Sequence, residues 1–320
     1  MFYFLLKAYA RLAIKVYCRR IRINKPEMLE WKGPLLLAAN HPNSFLDGMI
    51  LTTLFDHPVY SLARGDAFKG VFMNRLLRRL QLLPVYRTSE GVENLEHNYI
   101  TFQACQEVFR RKAIVLIFSE GRCENEWHLR PLKKGTARLA IDSWNKGIPL
   151  QVVPLGYNYS SFKRFGKALH LYFGTPIPPS VLEGATSPGL QHQAFNKALE
   201  SQLKELVYEI PEDDRPAIRK TFGIRKKASL ALLALPALAG ALAHAPLFLP
   251  VKLFTQARFA RSGHYDSMQT SLLLLAYPLY LIAAAWVVYH YLGTAAAFGS
   301  LLALPFLAWA CVQAKYQLDI

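Results

Sequence analysis

His41 and Asp47 are the two residues whose types and spacing best suit acid–base chemistry. An imidazole whose one nitrogen is held by a carboxylate keeps the other nitrogen free to take a proton. The two side chains then form the base and the orienting group of a catalytic triad, without a protein nucleophile. In such a site the nucleophile is the substrate's own hydroxyl group.

The segment around this pair predicts the elements that position it. The apolar run Leu35–Ala39 predicts a buried strand. Pro42 disfavours helical geometry at His41, which places the imidazole on the turn after the strand. A helix is expected from about Phe45, so Asp47 lies in its first turn and faces back toward His41.

Asn43 and Ser44 precede this helix, and we expect one of their side chains to cap it. Chance pairs of His and Asp are common, and most are structural. A second pair, His264 and Asp266, lies in a basic loop between apolar runs, and we interpret it as part of an interfacial loop. The strand, turn and helix predicted around His41 distinguish the first pair.

Further candidates follow other predicted strands. Arg87 ends the string LPVYR, and its planar guanidinium can bond two oxygens of a phosphate. Ser119, Glu120 and Gly121 follow the buried run AIVLIF, where small residues let backbone amides approach a ligand. Glu120 offers an acceptor for substrate hydroxyls. A surface ion pair for Arg87 and an ordinary turn at Gly121 are the alternatives.

Two more strings are candidates for substrate contact. Lys134 lies in the basic segment RPLKKGTAR, which leads into a predicted helix, so it suits phosphate groups. A solvated cluster of charges is the alternative. The string VVPLGYN predicts a strand that lines the substrate pocket, or simply sheet core.

Strands alternate with helices from residue 35 to residue 207, which predicts an α/β fold with a mixed, largely parallel sheet flanked by helices. Active sites in such sheets collect at the carboxyl ends of the strands. His41, Arg87 and Glu120 each come just after a predicted strand. We therefore expect them at one edge of the sheet.

Composition divides the chain into three predicted regions. Residues 1–20 predict an amphipathic membrane-surface helix, with a plain surface helix packed on the domain as an equal alternative. Residues 21–217 form the expected catalytic domain, beginning with a polar connector over 21–33. Residues 218–320 predict a membrane-embedded, all-helical region.

The last region contains three apolar runs, 228–251, 271–292 and 294–312, each long enough to cross a bilayer. Basic residues flank the first run on both sides, which favours a hairpin bent near its prolines. The other two runs predict a second hairpin, which returns Lys315 to the inside. We expect an integral or monotopic membrane protein whose catalytic domain lies on the cytoplasmic face.

The balance of charged residues limits the classes of binding partner. The formal net charge is +16, from 38 Lys and Arg against 22 Asp and Glu, and such an excess suits nucleic acid, an anionic membrane or phosphorylated substrates. No RNA-binding signature or zinc spacing supports nucleic acid, and the apolar C-terminal runs favour the other two. The four cysteines, Cys18, Cys105, Cys123 and Cys311, indicate free thiols in a reducing compartment.

Four strings in order, NHPNSFLD, LPVYR, FSEGR and VVPLGYN, resemble the motifs of the glycerolipid acyltransferase family, which includes glycerol-3-phosphate and lysophosphatidic acid acyltransferases. The resemblance covers residues 33–176. It implies that His41 is the general base, that Asp47 orients it and that Arg87 binds the acceptor phosphate. Ser119, Glu120 and Gly121 would shape the acceptor site.

The resemblance also implies a thioester co-substrate, acyl-CoA or acyl carrier protein, with no cofactor and no metal. Two departures matter. Five residues separate His41 from Asp47 where the family usually has four, which resembles the branch that acylates glycerol-3-phosphate or dihydroxyacetone phosphate. Ser119 stands where the family usually has proline, which leaves the placement of Glu120 less constrained.

Three functions remain open at this stage. The first is a membrane-bound O-acyltransferase that acts on a phosphorylated glycerol in phospholipid biosynthesis. The second keeps the chemistry but takes lysophosphatidic acid, another lysolipid or an amine-bearing lipid as acceptor. The third is a non-catalytic membrane scaffold, against which the intact His41, Asp47, Arg87 and Glu120 argue.

Overall fold

Strands and helices alternate along the chain, as the apolar pattern predicts. The structure is a computed structural model that describes residues 2–86, 97–224 and 232–314. In chain order its helices and strands are α1 (Phe2–Tyr17), β1 (Cys18–Ile23), β2 (Leu35–Ala39), α2 (Phe45–Leu54), β3 (Val59–Arg64), α3 (Val71–Arg79), β4 (Leu82–Val85), α4 (His97–Arg110), β5 (Ile114–Phe118), α5 (Gly135–Asn145), β6 (Gln151–Tyr159), β7 (Lys167–Phe173), α6 (Pro188–Leu206), α7 (Arg215–Thr221), α8 (Ala234–Phe259) and α9 (Tyr265–Ala314).

The described strands form one seven-stranded sheet in the order β1-β7-β6-β2-β5-β3-β4. The pairs β2–β5, β2–β6, β3–β4 and β3–β5 are parallel. Strand β2 lies between β5 and β6, and all five of its residues are buried, which explains its continuous apolar sequence. The predicted α/β class with a mixed, mostly parallel sheet is confirmed.

The described residues divide into two compact units. The first consists of Met1–Ala8, Arg22–Asn158 and His170–Pro211, and the second of Tyr9–Ile21, Tyr159–Leu169 and Glu212–Ile320. The core of the first unit contains apolar side chains of the sheet and of α4, α5 and α6, among them Leu36, Val115, Ala140, Val152 and Leu199. The boundaries predicted from composition, after residues 20 and 217, stay a prediction.

Strand β1 is an element that the sequence does not predict. Helix α1 ends at Tyr17, and the sequence CRRIRI then forms a strand at one edge of the sheet. Its residues alternate between more and less exposed positions, with arginines among the exposed ones. Such alternation is typical of an edge strand, but its charges make the sequence resemble a connector.

The second unit contains two helices, α8 and α9, that are long and apolar enough to cross a membrane. The prediction that the first apolar run bends into a hairpin near its prolines is wrong, because α8 is one helix of 26 residues with Pro246 and Pro250 inside it. Prolines are tolerated in apolar helices where neighbouring groups satisfy the freed backbone.

Helix α9 consists of two helical segments that meet at Gly293, whose φ of 80° and ψ of −176° are not helical. The first segment reaches α8 through Tyr277, whose hydroxyl lies 3.2 Å from His244 Nε2. The second reaches the same part of α8, where a Cβ on Gly240 would collide with the backbone of Leu307. The chain therefore reverses direction at Gly293, as the predicted second hairpin requires. Lys315 lies outside the described residues.

Candidate active site

His41 lies on the turn between β2 and α2, and Asp47 lies in the first turn of α2. His41 Nδ1 is 2.9 Å from Asp47 Oδ2; the aspartate side chain is fully buried and the histidine side chain is 14% exposed. The backbone N–H of Asn43 donates to the same oxygen at 2.9 Å. With Asp47 ionised, His41 Nδ1 donates its proton to the carboxylate, so Nε2 carries the lone pair that a general base needs.

The turn before α2 differs in one detail from the expectation. Ser44 occupies the N-cap position, but its side chain makes no capping hydrogen bond. The carboxylate of Asp47 instead accepts the N–H of Asn43. Ser44 has φ 53° and ψ −146°, a conformation that is costly for any residue other than glycine. This strained residue lies within the five-residue connection that joins the histidine to the aspartate.

Phe118 supports the imidazole from the neighbouring strand. It is the last residue of β5 and pairs in register with Ala39 of β2. Its ring stacks on that of His41, with centroids 3.7 Å apart and an angle of 13° between the planes. The stacked ring limits rotation of the imidazole away from Asp47. The sequence analysis assigned no role to Phe118.

Glu120 is buried beneath the turn and holds the backbone of His41. Its Oε2 accepts the N–H of His41 at 2.8 Å, and its Oε1 accepts the N–H of Arg130 at 3.0 Å. Burial raises the pKa of Glu120 to about 8; the hydrogen bond from His41 opposes this rise and the charge of Asp47 adds to it. Both oxygens thus already bind protein groups, and a contact with a substrate hydroxyl stays a prediction.

Ser119 and Gly121 shape the loop on either side of Glu120. Ser119 is buried; its N–H donates to the Ala39 carbonyl at 2.8 Å, and its carbonyl accepts from Lys133 at 2.7 Å. Gly121 has φ +72°, and a Cβ there would lie 2.9 Å from Lys133 Cγ. The loop is therefore fixed against β2 and the segment before α5, which in turn holds Glu120 in place. A direct role of either residue in acceptor binding stays a prediction.

Asn40 and Tyr157 join β2 to β6; the sequence alone indicates no role for Asn40, and it places Tyr157 only within the predicted strand VVPLGYN. The Asn40 amide accepts the N–H of Tyr157 at 2.7 Å and donates to the Tyr157 carbonyl at 3.1 Å. The Tyr157 hydroxyl donates to the backbone carbonyl of Asp47 at 3.0 Å. The string VVPLGYN thus forms buried sheet core that also braces the His41–Asp47 turn.

The thiol of Cys123 contacts this turn, since its Sγ accepts the N–H of Ser44 at 2.9 Å. Burial is the main cause that raises the pKa of Cys123 well above its ordinary value, and the charge of Asp47 raises it further. The thiol is therefore protonated at neutral pH. A protonated thiol is a poor nucleophile, so the geometry favours direct attack by a substrate hydroxyl.

Basic residues lie at two other places in the first unit. Arg87 is outside the described residues, but Tyr86 before it lines a cavity of about 460 Å³ at the carboxyl ends of β3 and β4, together with Lys69 and Arg78. Lys134 is exposed at the N-terminus of α5, one residue after Lys133. Within residues 2–86, 97–224 and 232–314, no group of three or more His, Cys, Asp or Glu side chains could hold a metal ion.

Comparison with known proteins finds a match to a family model and a similarity to solved structures. Residues 20–158 match the family model described as Acyltransferase, a segment that contains His41, Asp47 and Glu120. The crystal structure of the 1-acyl-sn-glycerophosphate (LPA) acyltransferase PlsC from Thermotoga maritima is similar to 63% of this chain and 79% of its own chain, with 14% sequence identity and a TM-score of 0.40. No curated protein shows a significant sequence match to the chain.

Proposed function

We propose that the chain transfers a fatty acyl group from a thioester to the hydroxyl of a phosphorylated glycerol, and the match of residues 20–158 to the acyltransferase family model supports this proposal. The acceptor is glycerol-3-phosphate or dihydroxyacetone phosphate, and the donor is acyl-CoA or acyl carrier protein. The observation that carries the proposal is the contact of 2.9 Å between His41 Nδ1 and the buried carboxylate of Asp47.

The first step activates the acceptor. His41 Nε2 takes the hydroxyl proton while the hydroxyl oxygen attacks the thioester carbonyl carbon, forming a tetrahedral intermediate. The positive charge that develops on the imidazole is stabilised by Asp47, with which it shares a charge-assisted hydrogen bond. Phe118 and Glu120 hold the ring and its backbone in place, so little reorganisation is needed.

The second step completes the transfer. The intermediate collapses, the carbon–sulfur bond breaks and the thiolate leaves. The imidazolium of His41 returns its proton to the sulfur, which gives the free thiol and the ester and restores the neutral base. No acyl-enzyme is required, in agreement with the protonated state of Cys123.

Positive side chains supply the expected contacts with phosphate. Arg87 is proposed to bind the acceptor phosphate, and Lys69 and Arg78 in the cavity lined by Tyr86 are further cations that could contact it. The exposed Lys134 is proposed to bind phosphates of the acyl carrier. Lysine and arginine side chains are suited to both tasks, because phosphate oxygens accept several charged hydrogen bonds.

The second unit supports a membrane location. Helices α8 and α9 have the length and composition of bilayer-spanning helices, and the product of acyl transfer is a lipid. We propose that the protein is bound to the membrane through these helices, with the catalytic unit on the cytoplasmic face.

The proposal is tested by an acyl-transfer assay on the detergent-solubilised full chain. Labelled acyl-CoA and acyl carrier protein are each offered with glycerol-3-phosphate, dihydroxyacetone phosphate and lysophosphatidic acid in parallel. His41→Ala is expected to lower transfer about 10²–10⁴-fold. The matched control is His57→Ala. His57 is exposed and lies before the amino end of β3, whereas His41 follows the carboxyl end of β2, so the two histidines are at opposite ends of the parallel strands.

The acceptor that is used separates the open functions. Transfer to glycerol-3-phosphate or dihydroxyacetone phosphate supports the proposed first acylation. Transfer only to lysophosphatidic acid or another lysolipid is consistent with the proposed mechanism but overturns the proposed identity of the acceptor. If no acceptor is acylated from either donor, the scaffold function replaces the enzyme. If an acceptor is acylated but His41→Ala behaves as His57→Ala does, His41 is not the general base.

A further inference from the structure

Helix α3 presents an unusual outward face to solvent. None of its nine residues is buried. At its N-terminal end Val71 is 76% exposed, Phe72 75% and Met73 40%. Three consecutive exposed apolar side chains on one short helix form a patch that is costly to hydrate, and such patches mark interaction surfaces.

The C-terminal half of the same helix is basic. Arg75, Arg78 and Arg79 are exposed, and the helix sequence VFMNRLLRR contains no acidic residue. Residues in an α-helix are 100° apart, so these arginines project on the same side as Val71 and Phe72. The α3 face, defined by Val71, Phe72, Arg75, Arg78 and Arg79, is therefore apolar at one end and strongly positive at the other.

We infer that the α3 face docks on the surface of an anionic lipid bilayer. A helix of nine residues is only about 14 Å long and cannot span the hydrocarbon core, so it lies in the interface plane. Val71 and Phe72 then enter the boundary with the acyl chains, while the flexible arginine side chains reach the lipid phosphates. The positive charge of the arginines on the α3 face complements the negative charge of the headgroups.

Other features of the chain favour a lipid surface over a protein partner. The formal net charge of +16 attracts an extended anionic surface. Lys69 and Arg78 also line the cavity beside α3, so a headgroup phosphate held by this face would lie at the rim of that cavity. The inference rests on the proposed membrane location but not on the proposed acyl transfer.

The test places one tryptophan on the α3 face of the full chain. Phe72→Trp is reconstituted into phosphatidylcholine vesicles with or without phosphatidylglycerol, each containing lipid with brominated acyl chains. The emission of the wild-type chain, which has five tryptophans, is subtracted. The matched control is Leu190→Trp, since Leu190 is a 47% exposed residue on α6 of the same unit.

The brominated lipid is expected to quench the added tryptophan of Phe72→Trp several-fold more than that of Leu190→Trp, and most strongly with phosphatidylglycerol. Adding Arg75→Gln and Arg79→Gln to the Phe72→Trp chain, or raising the salt concentration, is expected to reduce the quenching. Equal quenching at the two positions would overturn the inference. So would a tryptophan at position 72 that is shielded from both brominated lipid and aqueous acrylamide, because a protein would then cover the face. Acyl transfer is not measured, so its failure would leave this result unchanged.

Discussion

The imidazole of His41 and the phenyl ring of Phe118 stack face to face, with centroids 3.7 Å apart, although His41 lies on the turn after β2 and Phe118 at the end of β5. Asp47 holds one nitrogen of the imidazole, and Phe118 restricts the plane of its ring. Two independent constraints therefore define where Nε2 points. Each can be removed separately by a single substitution.

Phe118→Leu removes the aromatic plane while nearly keeping the apolar volume. We expect kcat to fall about tenfold, because the imidazole samples orientations in which Nε2 is misplaced. The expected signature in steady-state kinetics is a loss in kcat with little change in KM for the donor. Phe195→Leu is the control, since Phe195 is fully buried in the same unit but packs on Trp144. Equal effects of the two substitutions would assign the loss to core packing alone.

Asp47→Asn keeps the shape of the aspartate side chain and removes its charge. The amide can no longer stabilise the imidazolium, and it allows the tautomer whose Nε2 is protonated. We expect kcat to fall by about 10³–10⁴-fold at neutral pH. Asp142→Asn on the surface of α5 is the control and is expected to keep full activity. Activity retained in Asp47→Asn would show that His41 does not depend on the Asp47 carboxylate.

Glu120 makes stability depend on pH. Its pKa is about 8 in the folded chain against an ordinary value of 4.5, so the folded state holds the proton more tightly. The stabilising contribution is complete below the lower pKa and is lost as pH rises through the higher one. Between them the free energy of unfolding should fall by about 1.4 kcal/mol per pH unit from this group.

Glu120→Gln cannot titrate, so the thermal unfolding midpoint of the wild-type chain should fall relative to that of this variant as pH rises from 4.5 to about 8. Thermal unfolding in detergent at a series of pH values in that window measures the difference. Glu205→Gln on the exposed side of α6 should show a flat difference. A flat difference for Glu120→Gln as well would mean that the carboxylate stays ionised throughout.

Ser44→Gly should raise the thermal unfolding midpoint. Ser44→Val should lower that midpoint and reduce the free energy of unfolding by about 1–3 kcal/mol. The reason is φ 53°, which glycine adopts freely and a β-branched residue does not. Ser201 on the exposed side of α6 is the control, because glycine is the poorer residue in a helix and the order of the two variants should reverse. The same order at both positions would contradict strain at Ser44.

Cys123→Ser should keep kcat within a few-fold of the wild-type value. The serine hydroxyl can still accept the N–H of Ser44, so the turn is preserved. The initial-rate pattern should also lack the parallel lines of a ping-pong mechanism, because no acyl-enzyme forms. Loss of activity together with a trapped thioester in the wild-type chain would instead identify Cys123 as a nucleophile.

Much of the fold is predictable because its signals are local. The strand Leu35–Ala39 and the helix that starts at Phe45 have the predicted bounds, since an apolar run and the following turn residues determine them. The exceptions have physical causes. Strand β1 carries arginines because it lies at an edge, and α8 keeps Pro246 and Pro250 inside one apolar helix.

Only the local part of the candidate site could be predicted from the sequence. His41 and Asp47 are six residues apart, so their approach follows from one strand, one turn and one helix. The contacts of Glu120 with His41 and of Tyr157 with Asn40 span 79 and 117 residues, and only the order of the strands brings them together. Local sequence patterns do not contain that order. Arg87 lies outside the described residues, so its predicted role stays a prediction.

The central place of β2 has a consequence for how the protein acquires activity. His41 is held from β5 on one side, while its neighbour Asn40 is held from β6 on the other, through contacts of high sequence separation. Such contacts raise the contact order, and closing them costs loop entropy late in the folding of a chain. The catalytic geometry therefore forms only when β2 has paired with both β5 and β6, so recovery of activity after refolding reports the assembly of the centre of the sheet.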